Sequence, residues 1–168
     1  MNPLNIARTV LFGLLFLLAG AAALLGLALL YWQIAFRLAS RRSQAKLGPP
    51  APVIEVDGLR FRDLNKNGML DVYEDPRRPI EERVEDLLGR MTLEEKVGML
   101  FHPMIGCTRR GGLVEKRARF SQPRPTSELV AERQIVHFNT IGMVPPERLA
   151  RWYNRLQRMA ERTRLGIP

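Results

Sequence analysis

Twelve residues carry the clearest chemistry in this sequence. The run Asp63-Leu64-Asn65-Lys66-Asn67-Gly68-Met69-Leu70-Asp71-Val72-Tyr73-Glu74 satisfies D-x-[DN]-x-[DN]-G-x5-E at every specified position. Calcium takes six to eight hard oxygens, and this spacing wraps them around one ion. Asp63, Asn65 and Asn67 offer side-chain oxygens, Met69 its carbonyl, and Asp71 a carboxylate that binds directly or through water. Glu74 closes the shell with two oxygens, and Gly68 allows the sharp turn. A polar Asn-Gly turn between two strands is the other structure this composition builds. Val53 to Phe61 reads as extended, so the loop lacks the preceding helix of a helix-loop-helix pair. A structural calcium ion is therefore expected here, and not a calcium switch.

Other reactive side chains are sparse. His102 and His137 are the only histidines, neither has a partner at ligand spacing, and both read as structural. Cys107 is the single cysteine, which excludes a disulfide scaffold and multi-cysteine zinc sites. It stands near Arg109 and Arg110 but lacks a paired histidine motif, so no nucleophilic role is assigned. Glu81-Glu82 and Glu94-Glu95 lie near helix starts, where they complement the dipole. No phosphate-binding glycine loop, nucleophile elbow or zinc-protease motif is present.

The chain that must position these residues has 168 residues, 46% of them hydrophobic, with a net charge of +9. The stretch 9–36 carries no charge. Its densest part, Val10 to Tyr31, exceeds the roughly 20 apolar residues that a bilayer requires, and Tyr31 and Trp32 stand at its end, where aromatic residues favour the headgroups. It reads as a single transmembrane helix and an uncleaved signal anchor. A long signal peptide or a buried core helix are the competing readings, and its length disfavours both.

The organisation is a flank at 1–8, the span at 9–36 and a basic, proline-rich linker at 37–54, expected to be extended. The calcium-loop region at 55–78 and a folded part at 79–168 follow. Within the last, Pro79 to Arg90 predicts a helix with Ile80, Val84, Leu87 and Leu88 on its inward face. Thr92 and Glu95 form a capping-box pattern for a second helix through Val97. Met99 to Ile105 reads as a buried strand, His102 to Pro125 as a long loop, Thr126 to Arg133 as a helix, and Gln134 to Phe138 as a strand. Pro145-Pro146 opens a last helix with Leu149, Trp152, Leu156, Met159 and Ala160 inward. Arg148, Arg151, Arg155, Arg158 and Arg162 form its solvated outer face, so no nucleic-acid partner is expected. The alternation predicts an α/β fold.

From about Phe61 the sequence resembles the N-terminal region of glycoside hydrolase family 3, the β-glucosidase and β-xylosidase family. Residues 63–75 (DLNKNGMLDVYED), 81–96 (EERVEDLLGRMTLEEK) and 163–168 (TRLGIP) carry the resemblance, with the spacing from Pro145 through residues 152–157 (WYNRLQ). It implies a retaining exo-β-glycosidase built on a (β/α)8 barrel and acting on terminal β-linked glycosides without a catalytic cofactor. It also places the aspartate nucleophile and the acid/base on later elements, so no catalytic residue is expected within these 168 positions. A TIM-type barrel takes about 250 residues, so the expected fold is its incomplete N-terminal part after one transmembrane helix, inactive alone. Arg37, Arg41, Arg42 and Lys46 bias the C-terminal part towards the cytoplasm, whereas the resemblance implies an exoplasmic or periplasmic glycosidase, the side favoured here. Two alternatives stand beside it. One is a complete, non-catalytic single-pass membrane protein whose calcium loop and basic helix bind a partner. The other is an electrostatic adaptor for anionic lipid or nucleic acid.

Overall fold

The computed structural model describes residues 3–116, 122–141 and 144–167. Residues 1 and 2 of the flank, 117–121 of the expected loop and Pro168 of the TRLGIP segment lie outside the described residues. The chain divides into two compact units, Met1–Ala35 and Phe36–Pro168. The first is the apolar part of helix α1 (Pro3–Lys46). Its side chains are broadly exposed, Phe16 at 78% and Leu17 at 73% among them. The helix is long and apolar enough to cross a membrane, a property that membrane spans share with signal sequences.

The expected extended linker is corrected in its first half. Residues 37–46 continue helix α1, because nothing before Gly48-Pro49-Pro50 breaks a helix. This polar end belongs to the second unit and packs within it through small hydroxyls. Ser40 donates to Glu115 (2.7 Å) and Ser43 to Glu132 (2.7 Å), while Lys46 pairs with Glu132 at 3.0 Å.

Strands β1 (Val53–Val56) and β2 (Leu59–Arg62) form an antiparallel hairpin with Val53 opposite Arg62. Its two-residue turn, Asp57-Gly58, has positive φ at both positions, the geometry that matches strand twist. Helix α2 (Ile80–Arg90) falls where the pattern placed it, but its burial is a correction. None of its residues is buried, and Ile80, Val84 and Leu88 are exposed. The opposite, charged face makes the contacts: Asp86 accepts from the Tyr73 N–H (3.0 Å), and Arg83 donates to the Tyr73 carbonyl (3.3 Å). Helix α3 (Leu93–Met99) starts with the expected capping box, Glu95 N–H donating to Thr92 Oγ1 and Thr92 N–H to Glu95 Oε2.

The two later strands are shorter and shifted. Strand β3 is Met104–Ile105 and β4 is Asn139–Thr140, paired in parallel with helix α4 (Thr126–Ala131) between them. Residues 134–138 are not a strand, because Gln134 takes φ of 54° and the Ile135 N–H bonds the Leu129 carbonyl, closing helix α4. Helix α5 (Pro146–Ala160) buries Trp152, Leu156 and Ala160 as expected, but Leu149 stays 38% exposed. Leu47, Ile105, Val130, Trp152 and Leu156 form the buried cluster of the second unit. Among the described residues the architecture is a mixture of helices with two small sheets, and they form no closed barrel.

Candidate metal loop

The twelve-residue loop leaves strand β2 and ends in a single 3-10 turn at Val72–Glu74. Asp63 is 1% exposed, and its carboxylate accepts the N–H groups of Asn67 (3.1 Å) and Gly68 (2.8 Å). Gly68 has φ of 81°, a conformation that a Cβ would strain. Asn65 Oδ1 accepts the Asn67 N–H at 3.1 Å, and Asn67 Oδ1 accepts the Met69 N–H at 2.8 Å. The amide nitrogens of Asn65 and Asn67 both donate to Asp71 Oδ2, at 2.6 and 2.7 Å. Arg90 holds the other Asp71 oxygen at 2.7 Å. Glu74, also buried, accepts the N–H groups of Leu64 (2.7 Å), Asn65 (3.2 Å) and Asp71 (3.1 Å). Met69 exposes its side chain, so only its carbonyl is suited to a metal.

The structure thus ties Asn65, Asn67 and Asp71 directly together, with Asp63 and Glu74 bonded to the loop backbone on either side. Among the described residues no three His, Cys, Asp or Glu side chains converge on a point suited to a metal ion. The Asn65 and Asn67 amide nitrogens and the Arg90 guanidinium donate to Asp71, and backbone N–H groups donate to Asp63 and Glu74.

The sequence did not reveal what the loop grips. Lys66 Nζ donates to the carbonyls of Glu161 and Thr163, each at 2.6 Å, and Tyr73 Oη donates to the Leu165 carbonyl at 3.1 Å. A methyl on Gly166 would stand 2.6 Å from the Leu64 carbonyl oxygen, so the two segments touch along their backbones. Burial lowers the Lys66 pKa despite the neighbouring Asp63, Glu161 and Glu74 carboxylates. Burial, reinforced by Glu74, raises that of Tyr73 far above the ordinary phenol range. Arg164 adds a second tie, donating to the Arg90 carbonyl (2.8 Å) and to Glu95 (3.1 Å). Burial alone would raise the Glu95 pKa, but bonds from Arg164 and Thr92 outweigh it and hold the carboxyl below its usual value. Asp75 is held low chiefly by the bonds of Arg77, whose guanidinium also lies over the Phe61 ring at 4.9 Å.

The remaining candidates stay outside this loop. His102 and His137, 35 positions apart, are exposed with ring centroids 5.2 Å apart, a pairing that no local spacing signals. Cys107 forms no disulfide and donates to the Thr108 carbonyl at 3.3 Å. Glu81, Glu82, Glu94 and Glu95 occupy first helical turns. Two of the arginines expected on the solvated outer face of helix α5 are tied to backbone: Arg155 donates to the Gly111 carbonyl (2.6 Å), and Arg162, which lies beyond the end of the helix, to the Gly48 carbonyl (2.8 Å).

No family model matches the chain. A protein of Dickeya chrysanthemi named periplasmic beta-glucosidase/beta-xylosidase is 41% identical over 133 residues, 78% of this chain and 20% of that protein. A probable beta-glucosidase C of Aspergillus oryzae is 38% identical over 104 residues, 61% of this chain and 16% of the relative. Beta-glucosidase C of Emericella nidulans is 35% identical over 107 residues, 63% and 16% respectively. The chain therefore spans a fifth or less of the length of these curated relatives.

Proposed function

We propose that this chain, a relative of the β-glucosidase and β-xylosidase proteins of glycoside hydrolase family 3, supplies the N-terminal part of a membrane-anchored, retaining exo-β-glycosidase. Its substrates are terminal β-linked sugars, met on the exoplasmic or periplasmic side. The observation that carries this reading is the 41% identity over 133 residues to a protein named for that activity. The parallel β3–α4–β4 unit supports it, because parallel strands need a crossover helix and repeating such units builds an α/β barrel.

Retaining hydrolysis uses two carboxylates about 5–5.5 Å apart, one a nucleophile and the other an acid/base. In this reading neither belongs to residues 1–168. Asp63, Glu74 and Asp75 are buried in hydrogen bonds that hold backbone and arginine. The chain's own contribution is anchorage and scaffold.

The loop at 63–74 holds a structural calcium ion in the same reading. Its support is the complete twelve-residue pattern and the gathering of Asn65, Asn67 and Asp71. Both asparagine amides would turn their oxygens inward, and Asp63, Glu74 and the Met69 carbonyl would complete the donor set.

The test compares the 168-residue chain with the product of a reading frame continued past codon 168. The longer product should release nitrophenol from nitrophenyl β-glucoside or β-xyloside with retained anomeric configuration, and the shorter should release none. A stop codon directly after Pro168 refutes the reading and leaves a complete, non-catalytic membrane protein.

A further inference from the structure

A cavity of about 700 Å3 lies beside the polar end of helix α1 and is lined in part by Gln44, Arg110, Leu113, Glu115, Lys116 and Arg155. None of its three cations joins an ion pair between described residues. Three cations against one carboxylate leave the concavity net positive, which focuses a positive field and concentrates anions. The lone carboxylate is already occupied: Glu115 accepts from Ser40 (2.7 Å), Gln44 (3.3 Å), and the Ser127 hydroxyl (2.6 Å) and N–H (2.8 Å). Arg155 is anchored through Nη1 on the carbonyls of Arg110 (3.2 Å) and Gly111 (2.6 Å), and its Nε and Nη2 bond no described protein atom. A pre-fixed guanidinium with free donors suits a phosphate oxygen.

The position of the cavity identifies the kind of phosphate. The Lys116 carbonyl accepts from Arg37 Nε at 3.2 Å, and Arg37 is the first charged residue after the apolar stretch 9–36. One wall of the cavity is thus bonded to the helix where it leaves the apolar stretch. Arg41 and Arg42, exposed on the same helix, extend the positive field. Leu113 adds an apolar side to the cavity, which a free inorganic ion would not use.

We propose that this pocket binds the headgroup of an anionic phospholipid, with Arg110, Lys116 and Arg155 on the phosphodiester and Leu113 against the glycerol and first acyl carbons. The assignment rests on the reading of helix α1 as a membrane anchor. The full 168-residue chain, purified in neutral detergent, is titrated with phosphatidylglycerol and phosphatidylcholine, and retained lipid is counted by native mass spectrometry. One phosphatidylglycerol per chain is expected, about 25-fold preferred, since the three cations less the Glu115 carboxylate leave two net charges and each contributes about fivefold. Arg110→Gln with Lys116→Gln should weaken it about 25-fold, whereas Arg110→Lys with Lys116→Arg should retain it. Equal retention of both lipids, or undiminished phosphatidylglycerol on the glutamine variant, overturns the proposal. Full displacement by millimolar inorganic phosphate overturns the lipid assignment in favour of a small-anion site. Flotation with pure phosphatidylcholine vesicles reads the anchor separately: failure to float refutes the anchor, while the detergent titration still decides the pocket.

Discussion

Replacing Gly98 with alanine sets helix propensity against packing, and the structure fixes which wins. Gly98 lies inside helix α3, where alanine is intrinsically favoured over glycine by about 1 kcal/mol. A methyl on Gly98 would stand 2.2 Å from the Gln134 carbonyl oxygen, 2.6 Å from its carbonyl carbon and 2.9 Å from the Arg133 carbonyl oxygen. All three are backbone atoms, so no rotamer change relieves the clash. The turn carrying them is pinned to helix α4 by the Ile135–Leu129 hydrogen bond at 3.0 Å. Helix α3 must move by about 1 Å, at the upper part of the ~1–3 kcal/mol range for overpacking. Less the propensity gain, the net loss is about 2 kcal/mol. Gly89 in helix α2 provides the control, since its methyl would meet nothing within 4 Å, and Gly89→Ala should gain about 1 kcal/mol. For a folded unit of this size 1 kcal/mol shifts Tm by about 3–5 °C. Calorimetric unfolding of the full chain in detergent should show Gly98→Ala about 6–10 °C lower and Gly89→Ala about 3–5 °C higher. If Gly98→Ala raises Tm as Gly89→Ala does, the contact between helix α3 and the turn after helix α4 is wrong.

Two further outcomes concern the loop. Titration with calcium should give binding heat that vanishes in Asp63→Ala with Glu74→Gln, and calcium at 100 times Kd should add about 2.7 kcal/mol of stability. Absence of heat in the parent chain removes the ion from the loop. The Tyr73 phenol, raised by burial and then by Glu74, stays protonated in the folded chain while the unfolded one ionises near pH 10.0. Its contribution is therefore constant below that pH and is lost as pH rises above it. Tyr73→Phe should cost about 1 kcal/mol at pH 7 through the bond to Leu165, and should make the alkaline decline shallower by the slope of one proton. An unchanged alkaline slope would falsify the buried, neutral phenol.

How much was legible in the sequence depended on how local the cause was. The Thr92–Glu95 cap and the inward Trp152, Leu156 and Ala160 of helix α5 follow from bonds and periodicities within one element, and the structure has both. Periodicity groups Ile80, Val84 and Leu88 on one face but does not say that anything covers it. In the structure the charged face, with Arg83, Asp86 and Arg90, makes the contacts of helix α2. The strand expected at 134–138 failed because a backbone turn at Gln134, invisible to hydropathy, closes helix α4 there. The spacing of Asp63 to Glu74 was plain, whereas the Arg90 contact to Asp71 and the Lys66 grip on residues 161 and 163 come from distant elements. The Arg110, Lys116 and Arg155 pocket escaped for the same reason, since only the fold brings residue 155 beside residue 110.

The grip of the loop on the end of helix α5 also imposes an order of events on the ribosome. Lys66 and Tyr73 are made long before their acceptors, which lie 97 and 92 positions later at Thr163 and Leu165. At about 5–20 residues per second, the nascent loop waits roughly 5–20 s with an ammonium and a phenol unmet. During that interval the Asp63, Asn65, Asn67 and Glu74 turns can close on their own, because every donor they need lies within ten residues. The loop is thus a clasp made early and shut late, and translation that stops before residue 165 leaves it open.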